Sequence, residues 1–289
     1  MTKPLLHFTH GNSFPAGVYS RYLDGLRERY EVRVSEMVGH DPAYPVSDGW
    51  PGLVDELRAT LAGYGQPAIL LGHSLGGMLS LMAARRDPAL ARCVVMLDSP
   101  VVAGWRAWLL RHAKATGLAD RFSPARASQK RRVVWPDAPS AHAHFAAKDI
   151  FAAWAPGVLD DYIAHGLKPH ADGVQLRFDR EVETAIYRAL PDHLSSLVKP
   201  PFPVPIGFIG GTESLELRQA GLAATRKLVG SHYLSIEGGH LFPMESPDQA
   251  ARLSLQMIDM LLPEASGNGT TRPGQAQPPR AEPGQTQIG

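Results

Sequence analysis

Residues 67–86 read PAILLGHSLGGMLSLMAARR, and they leave the chain little freedom. An apolar, strand-like run ends at Gly72-His73-Ser74, and a helix-forming run starts at once. No loop separates the two, so strand must pass into helix within one tight turn. Side chains on either side of such a turn would strike the neighbouring strand and helix, and glycine at 72 and 76 removes them. The turn lifts the Ser74 hydroxyl clear of the sheet edge. It also aims the first helical amides, and the positive end of the helix dipole, at the same point.

Apolar, β-branched runs recur at 5–11, 31–38, 68–74, 93–99, 205–211 and 232–239, each bounded by turn residues. Their unbroken apolar character suits strands buried on both faces. Amphipathic helix-length stretches lie between them at 17–29, 50–63, 75–86, 215–229 and 247–262. Strand alternating with helix predicts an α/β fold, with a mostly parallel sheet flanked by helices. The alternation breaks between about 101 and 200, a stretch rich in aromatics and short helical patterns without clear buried strands. It is expected to be a helical cap inserted between two halves of a core, 1–100 and 201–263. Residues 264–289 are rich in Pro, Gly, Gln and Thr, and are expected to be a disordered tail.

The chain has 289 residues with 44% hydrophobic content, enough for one large core with an insertion. A formal net charge of +1 points to no nucleic-acid partner. No apolar run reaches the length of a membrane span, and the first residues lack the pattern of a secretory signal. The single cysteine, Cys93, lies in an apolar run and is expected to be a core residue. These features together favour a cytoplasmic protein. No Gly-rich phosphate or dinucleotide fingerprint is present, and HAHF at 142–145 offers two histidines without a third ligand nearby. No cofactor and no metal are expected.

Three motifs occur in order: HGNSF at 10–14, GHSLGG at 72–77 and GGHLFPMESP at 238–247. With them the chain resembles the α/β-hydrolase superfamily over residues 4–263, in the serine-hydrolase branch that carries a helical cap. The resemblance starts at the third strand of the usual eight, so the first two strands are expected to be absent. It implies that Ser74 is the nucleophile and His240, on a loop after the last core strand, its base. It also implies an oxyanion hole from the N–H groups of Asn12 and Leu75. His10 is expected to brace its turn, and His73 to pack beside the strand.

The third member, an acid that orients His240, is harder to place. The superfamily's usual position, in a Gly-x-x-Asp pattern after the seventh strand, holds Ser214 here, with Glu213 one residue before it. Asp98 ends the apolar run VVML at the same sheet edge, where an unpaired carboxylate would be costly. Asp98 is the favoured acid and Glu213 the second choice.

Serine at the elbow argues against the aspartyl-ester chemistry of dehalogenases and epoxide hydrolases. The expected reaction is hydrolysis of a carboxylic ester or thioester through an acyl-enzyme, on a small apolar acyl substrate. Carbon–carbon bond hydrolysis of the meta-cleavage type is the runner-up, and a ligand-binding protein of this fold with little turnover is the third reading. Between 101 and 132 stand eight Lys/Arg and one acid, Asp120. A solvated helix face is the favoured reading of this basic half-lid, with attraction of anionic substrates as the alternative.

Overall fold

The computed structural model describes residues 2–117 and 124–263. The strands are β1 (Leu5–Thr9), β2 (Glu31–Ser35), β3 (Ala68–His73), β4 (Ala91–Leu97), β5 (Val134–Trp135), β6 (Leu167–His170), β7 (Gly173–Leu176), β8 (Ile206–Gly211) and β9 (Tyr233–Ile236). Six of them form one sheet in the order β2-β1-β3-β4-β8-β9, and every pairing in it is parallel.

The apolar runs are continuous because both faces of this sheet are covered. Leu6 and Phe8 of β1, Ile69 and Leu71 of β3, and Cys93, Val95 and Leu97 of β4 face one buried cluster. Helices α1 (Ser20–Arg27) and α9 (Pro247–Leu261) close that side with Tyr22, Leu26, Met257 and Ile258. The alternate residues Leu5, Leu70, Val94 and Met96 face a second cluster, closed by α2 (Pro51–Ala62) and α3 (Leu75–Arg86). The period of two thus divides the interior strands between two cores, giving a three-layer α/β/α stack, whereas β2, expected to be buried on both faces, lies at the sheet edge with no fully buried residue. The stretch expected as one helix at 215–229 is two, α7 (Leu215–Ala220) and α8 (Ala223–Val229). They are separated at Gly221, whose φ of 76° ends the first.

The segment between β4 and β8 crosses the C-terminal edge of the sheet. It contains α4 (Trp105–Ala115), α5 (Val158–Gly166), α6 (Arg180–Arg188), a further nine-residue helix at Ala138–Ala146 and several shorter turns of helix. It also contains a small antiparallel sheet, β5-β7-β6, where only helices were expected. These strands have two to four residues and are mostly half-exposed, so they leave no apolar run in the sequence. Trp135, Phe145, Trp154 and Tyr162 pack into the same buried cluster as Phe8, Tyr19 and Tyr22 of the core. Phe14 bridges the two parts, edge-on to Trp154 and Tyr162 at 5.8 and 6.0 Å between ring centroids.

Helix α4 turns small residues inward, Ala107 and Ala113, and leaves Trp105 and Trp108 65% and 64% exposed. Among the described residues, three of the eight cations between 101 and 132 are answered by acids from distant parts of the chain. Arg111 approaches Asp192 at 3.4 Å, Lys114 pairs with Asp48 and Asp192, and Arg131 meets Glu183 at 3.0 Å. Asp120, Arg121 and the expected tail at 264–289 lie outside the described residues. No helix among the described residues is long and apolar enough to cross a membrane.

Candidate active site

Four neighbouring strands of the parallel sheet deliver side chains to one point at its C-terminal edge, where ligands bind in folds of this kind. Ser74 follows β3 directly, with φ 52° and ψ −115°. Such a conformation costs a residue with a β-carbon about 1–3 kcal/mol and persists only where surrounding structure enforces it. Here the enforcement is close packing of backbone. A β-carbon on Gly76 would overlap the Thr9 carbonyl, and one on Gly72 would overlap the backbone of Gly76. The Ser74 N–H donates to the Leu97 carbonyl at 2.9 Å, tying the elbow to β4.

His240 lies four residues beyond β9, on a loop that Glu245 secures by accepting the Gly239 N–H at 2.7 Å. The Ser74 hydroxyl donates to His240 Nε2 at 3.0 Å. On the other side of the ring, His240 Nδ1–H donates to Asp98 Oδ2 at 2.6 Å. Asp98 follows β4 and is 0% exposed. Its carboxylate also accepts the Gly211 N–H at 2.9 Å and the Ser214 hydroxyl at 2.6 Å. A charge so buried is tolerable because donors surround it. Burial lowers the pKa of His240, but the Asp98 hydrogen bond and the charges of Glu216, Asp98 and Glu245 outweigh it, so the imidazole stands above its ordinary value.

Of the two acids weighed from the sequence, Asp98 is the one at His240. Glu213 is exposed on the loop after β8, and its backbone carbonyl accepts a hydrogen bond from Arg218. Ser214 is buried and caps α7, accepting the Leu217 N–H at 3.2 Å while donating to Asp98. Glu216, which the sequence reading passed over, is 49% exposed with Oε2 3.8 Å from His240 Nδ1. Its one sequence signal is an acid in the first turn of a helix capped by serine.

Asp98, Glu216 and His240 are also close enough together to share a cation, but the 2.6 Å between His240 and Asp98 is already that of a strong hydrogen bond. The HAHF histidines diverge: His142 faces Asp160, and His144 lies against Trp135. Cys93 is buried in the core, and burial pushes its thiol up to about 12.

The remaining histidines of the motifs act through hydrogen bonds. His73 Nε2–H donates to the His240 carbonyl at 2.9 Å, and Nδ1 accepts from the Tyr19 hydroxyl at 2.8 Å. Tyr19 in turn accepts the Gly11 N–H at 3.0 Å. This relay joins the His-Gly turn to the His240 loop, a task invisible in the sequence. Burial, with the nearby His240, holds the His73 pKa well below its ordinary value, so the ring is neutral. His10 braces its own turn, donating to the Gly11 carbonyl at 2.8 Å and accepting the Val38 N–H at 2.9 Å.

Leu75 is the first residue of α3, so its N–H belongs to the amides a helix leaves without internal partners. Asn12 is buried beyond the end of β1. Its Nδ2 donates to the Glu183 carbonyl at 3.1 Å, and its Oδ1 has no partner among the described residues.

Part of the chain is 31% identical over 101 residues to 2-(acetamidomethylene)succinate hydrolase of Mesorhizobium japonicum, covering 33% of this chain and 35% of that protein. Another match, 28% identical over 97 residues, is pimeloyl-[acyl-carrier protein] methyl ester esterase of Xanthomonas oryzae, covering 34% of this chain and 38% of the relative. The matched segments thus span little more than a third of either relative's length. The crystal structure of E-2-(acetamidomethylene)succinate hydrolase superposes with a TM-score of 0.73 at 21% identity, over 89% of this chain and 92% of that one. The profile of the alpha/beta hydrolase family matches residues 8–253. With that match over most of its length, and with this fold, the chain belongs to the alpha/beta hydrolase family.

Proposed function

We propose that this protein is a serine hydrolase that cleaves a carboxylic ester or thioester through an acyl-enzyme. The hydrogen-bonded line from Ser74 through His240 to Asp98 is the observation that carries this reading. A serine hydroxyl is a poor nucleophile at neutral pH unless a base takes its proton as it attacks. His240 Nε2 is placed for that, because Asp98 holds the proton of the ring on Nδ1 and stabilises the imidazolium that forms. The amides of Leu75 and Asn12 would take the negative charge of the tetrahedral intermediate. His240 would then protonate the leaving group, and water would release the acid by the same steps in reverse.

The esterase named among the relatives supports an ester substrate. The hydrolase named for 2-(acetamidomethylene)succinate supports a second reading, a small substrate bearing carboxylates. A panel of p-nitrophenyl esters of increasing chain length, acyl-CoA thioesters and succinate half-esters separates the two. Ser74→Ala is expected to lower turnover by several orders of magnitude while leaving the fold intact. Esterase activity retained in that variant would refute the mechanism.

A further inference from the structure

The turn expected to hold half of the oxyanion hole does not rest on the core alone. Ser13, next to Asn12, has φ 78°, a conformation that residues with a β-carbon rarely adopt. Its hydroxyl donates to Glu183 Oε1 at 2.6 Å. Asn12 Nδ2 donates to the main-chain carbonyl of the same residue at 3.1 Å. Glu183 is on cap helix α6, 170 positions away in the chain, and is 1% exposed. Its Oε1 also receives Arg131 Nη2 at 3.0 Å.

Burying a carboxylate carries a desolvation penalty, and an apolar residue would pack a cap onto a core without it. What a carboxylate adds is direction: one oxygen fixes the Ser13 hydroxyl while the backbone of the same residue fixes Asn12. We propose that Glu183 is a positioning residue through which the cap holds the 11–13 turn, so that the Asn12 N–H points at the developing oxyanion. Arg131 balances the charge of this clamp and is thereby removed from the basic half-lid. Turnover then depends on the cap being seated, although no described cap residue joins the line from Ser74 to Asp98. The proposal rests on the serine-hydrolase reading and assigns a role within it.

The test compares the full-length wild type with Ser13→Ala, Glu183→Ala, Glu183→Gln and the Ser13→Ala/Glu183→Ala double variant. Each is measured for kcat and KM on a short p-nitrophenyl ester, for its rate of labelling by a fluorophosphonate, and for Tm. Misplacing a reacting group by about an ångström can cost a hundredfold in rate, so kcat is expected to fall roughly tenfold to a hundredfold in Ser13→Ala and Glu183→Ala. KM should stay within about twofold, because the substrate's ground state is not what the clamp serves. The double variant should fall no further than the worse single one, since both cut the same bond. Glu183→Gln, which keeps an acceptor for Ser13, should recover most of the loss. Single variants with wild-type kcat and labelling rates would overturn the clamp while leaving the serine-hydrolase reading intact. So would losses that multiply in the double variant. A wild type that is not labelled at Ser74 would instead remove the serine-hydrolase reading, and the clamp with it. If Glu183→Ala does not fold, Ser13→Ala against Glu183→Gln decides the matter alone.

Discussion

The ends of β4 and β8 are neighbours that carry opposite chemistry. The two strands run parallel, with Leu97 opposite Ile209, and both release their chains at the same edge of the sheet. After β4 comes a buried aspartate, and after β8 an exposed glutamate followed by a buried serine. The superfamily's usual arrangement puts the acid after β8. Here Ser214 occupies that place and donates to Asp98, which reaches His240 from the adjacent strand. One strand end thus carries the charge and its neighbour supplies neutral donors to it, so the arrangement is one of space rather than of chain position.

The strongest way to break this comparison is Asp98→Asn. An amide facing Nδ1 donates where the carboxylate accepted, which leaves the imidazole in the wrong tautomer. A comparable change in a serine protease costs about ten-thousandfold in turnover. Steady-state kinetics on a folded variant checks it, and near wild-type rates would transfer the acid's role elsewhere. Ser214→Ala is the next step down. Asp98 keeps the Gly211 N–H and His240, so a loss of about tenfold in kcat is expected. The same change removes the cap of α7, which should cost about 1 kcal/mol, read as a lowered Tm.

Glu216→Gln sharpens the comparison through pH. The imidazole must be neutral to act as a base, so the rate should rise with pH through the pKa of His240. That pKa stands above its ordinary value partly because of Glu216. Removing the charge should move the acid limb of the profile to lower pH, less so in high salt because Glu216 is half-exposed. An unmoved limb would show that Glu216 does not set the pKa of the base, leaving that to Asp98 and Glu245. The smallest effect is expected for Glu213→Gln, less than about fivefold in kcat/KM, as for other exposed charges. If this variant is the severe one and Asp98→Asn is mild, the two strand ends have been assigned in reverse.

Much of this was legible because it is local. The elbow needs glycines at fixed spacing, and a backbone that packs that tightly leaves its mark on consecutive residues. Ser74, His240 and the apolar run ending at Asp98 could all be named from the chain. The cost of burying an unpaired charge favours Asp98 over Glu213, while the distances of both to His240 depend on how β4, β8 and β9 align. The small cap sheet was missed because its short, half-exposed strands leave no period to read.

The alternation of core strands with helices, the sharp turn at Ser74 and the chemical groups on offer all follow from the sizes and periods of neighbouring residues, and so could be read along the chain. Which acid meets His240, that His73 ties two loops together, and that Glu183 reaches Ser13 from 170 positions away were fixed by folding in three dimensions. Hydrogen bonds act over about 3 Å whatever the length of chain between the partners, and sequence spacing carries no record of that distance.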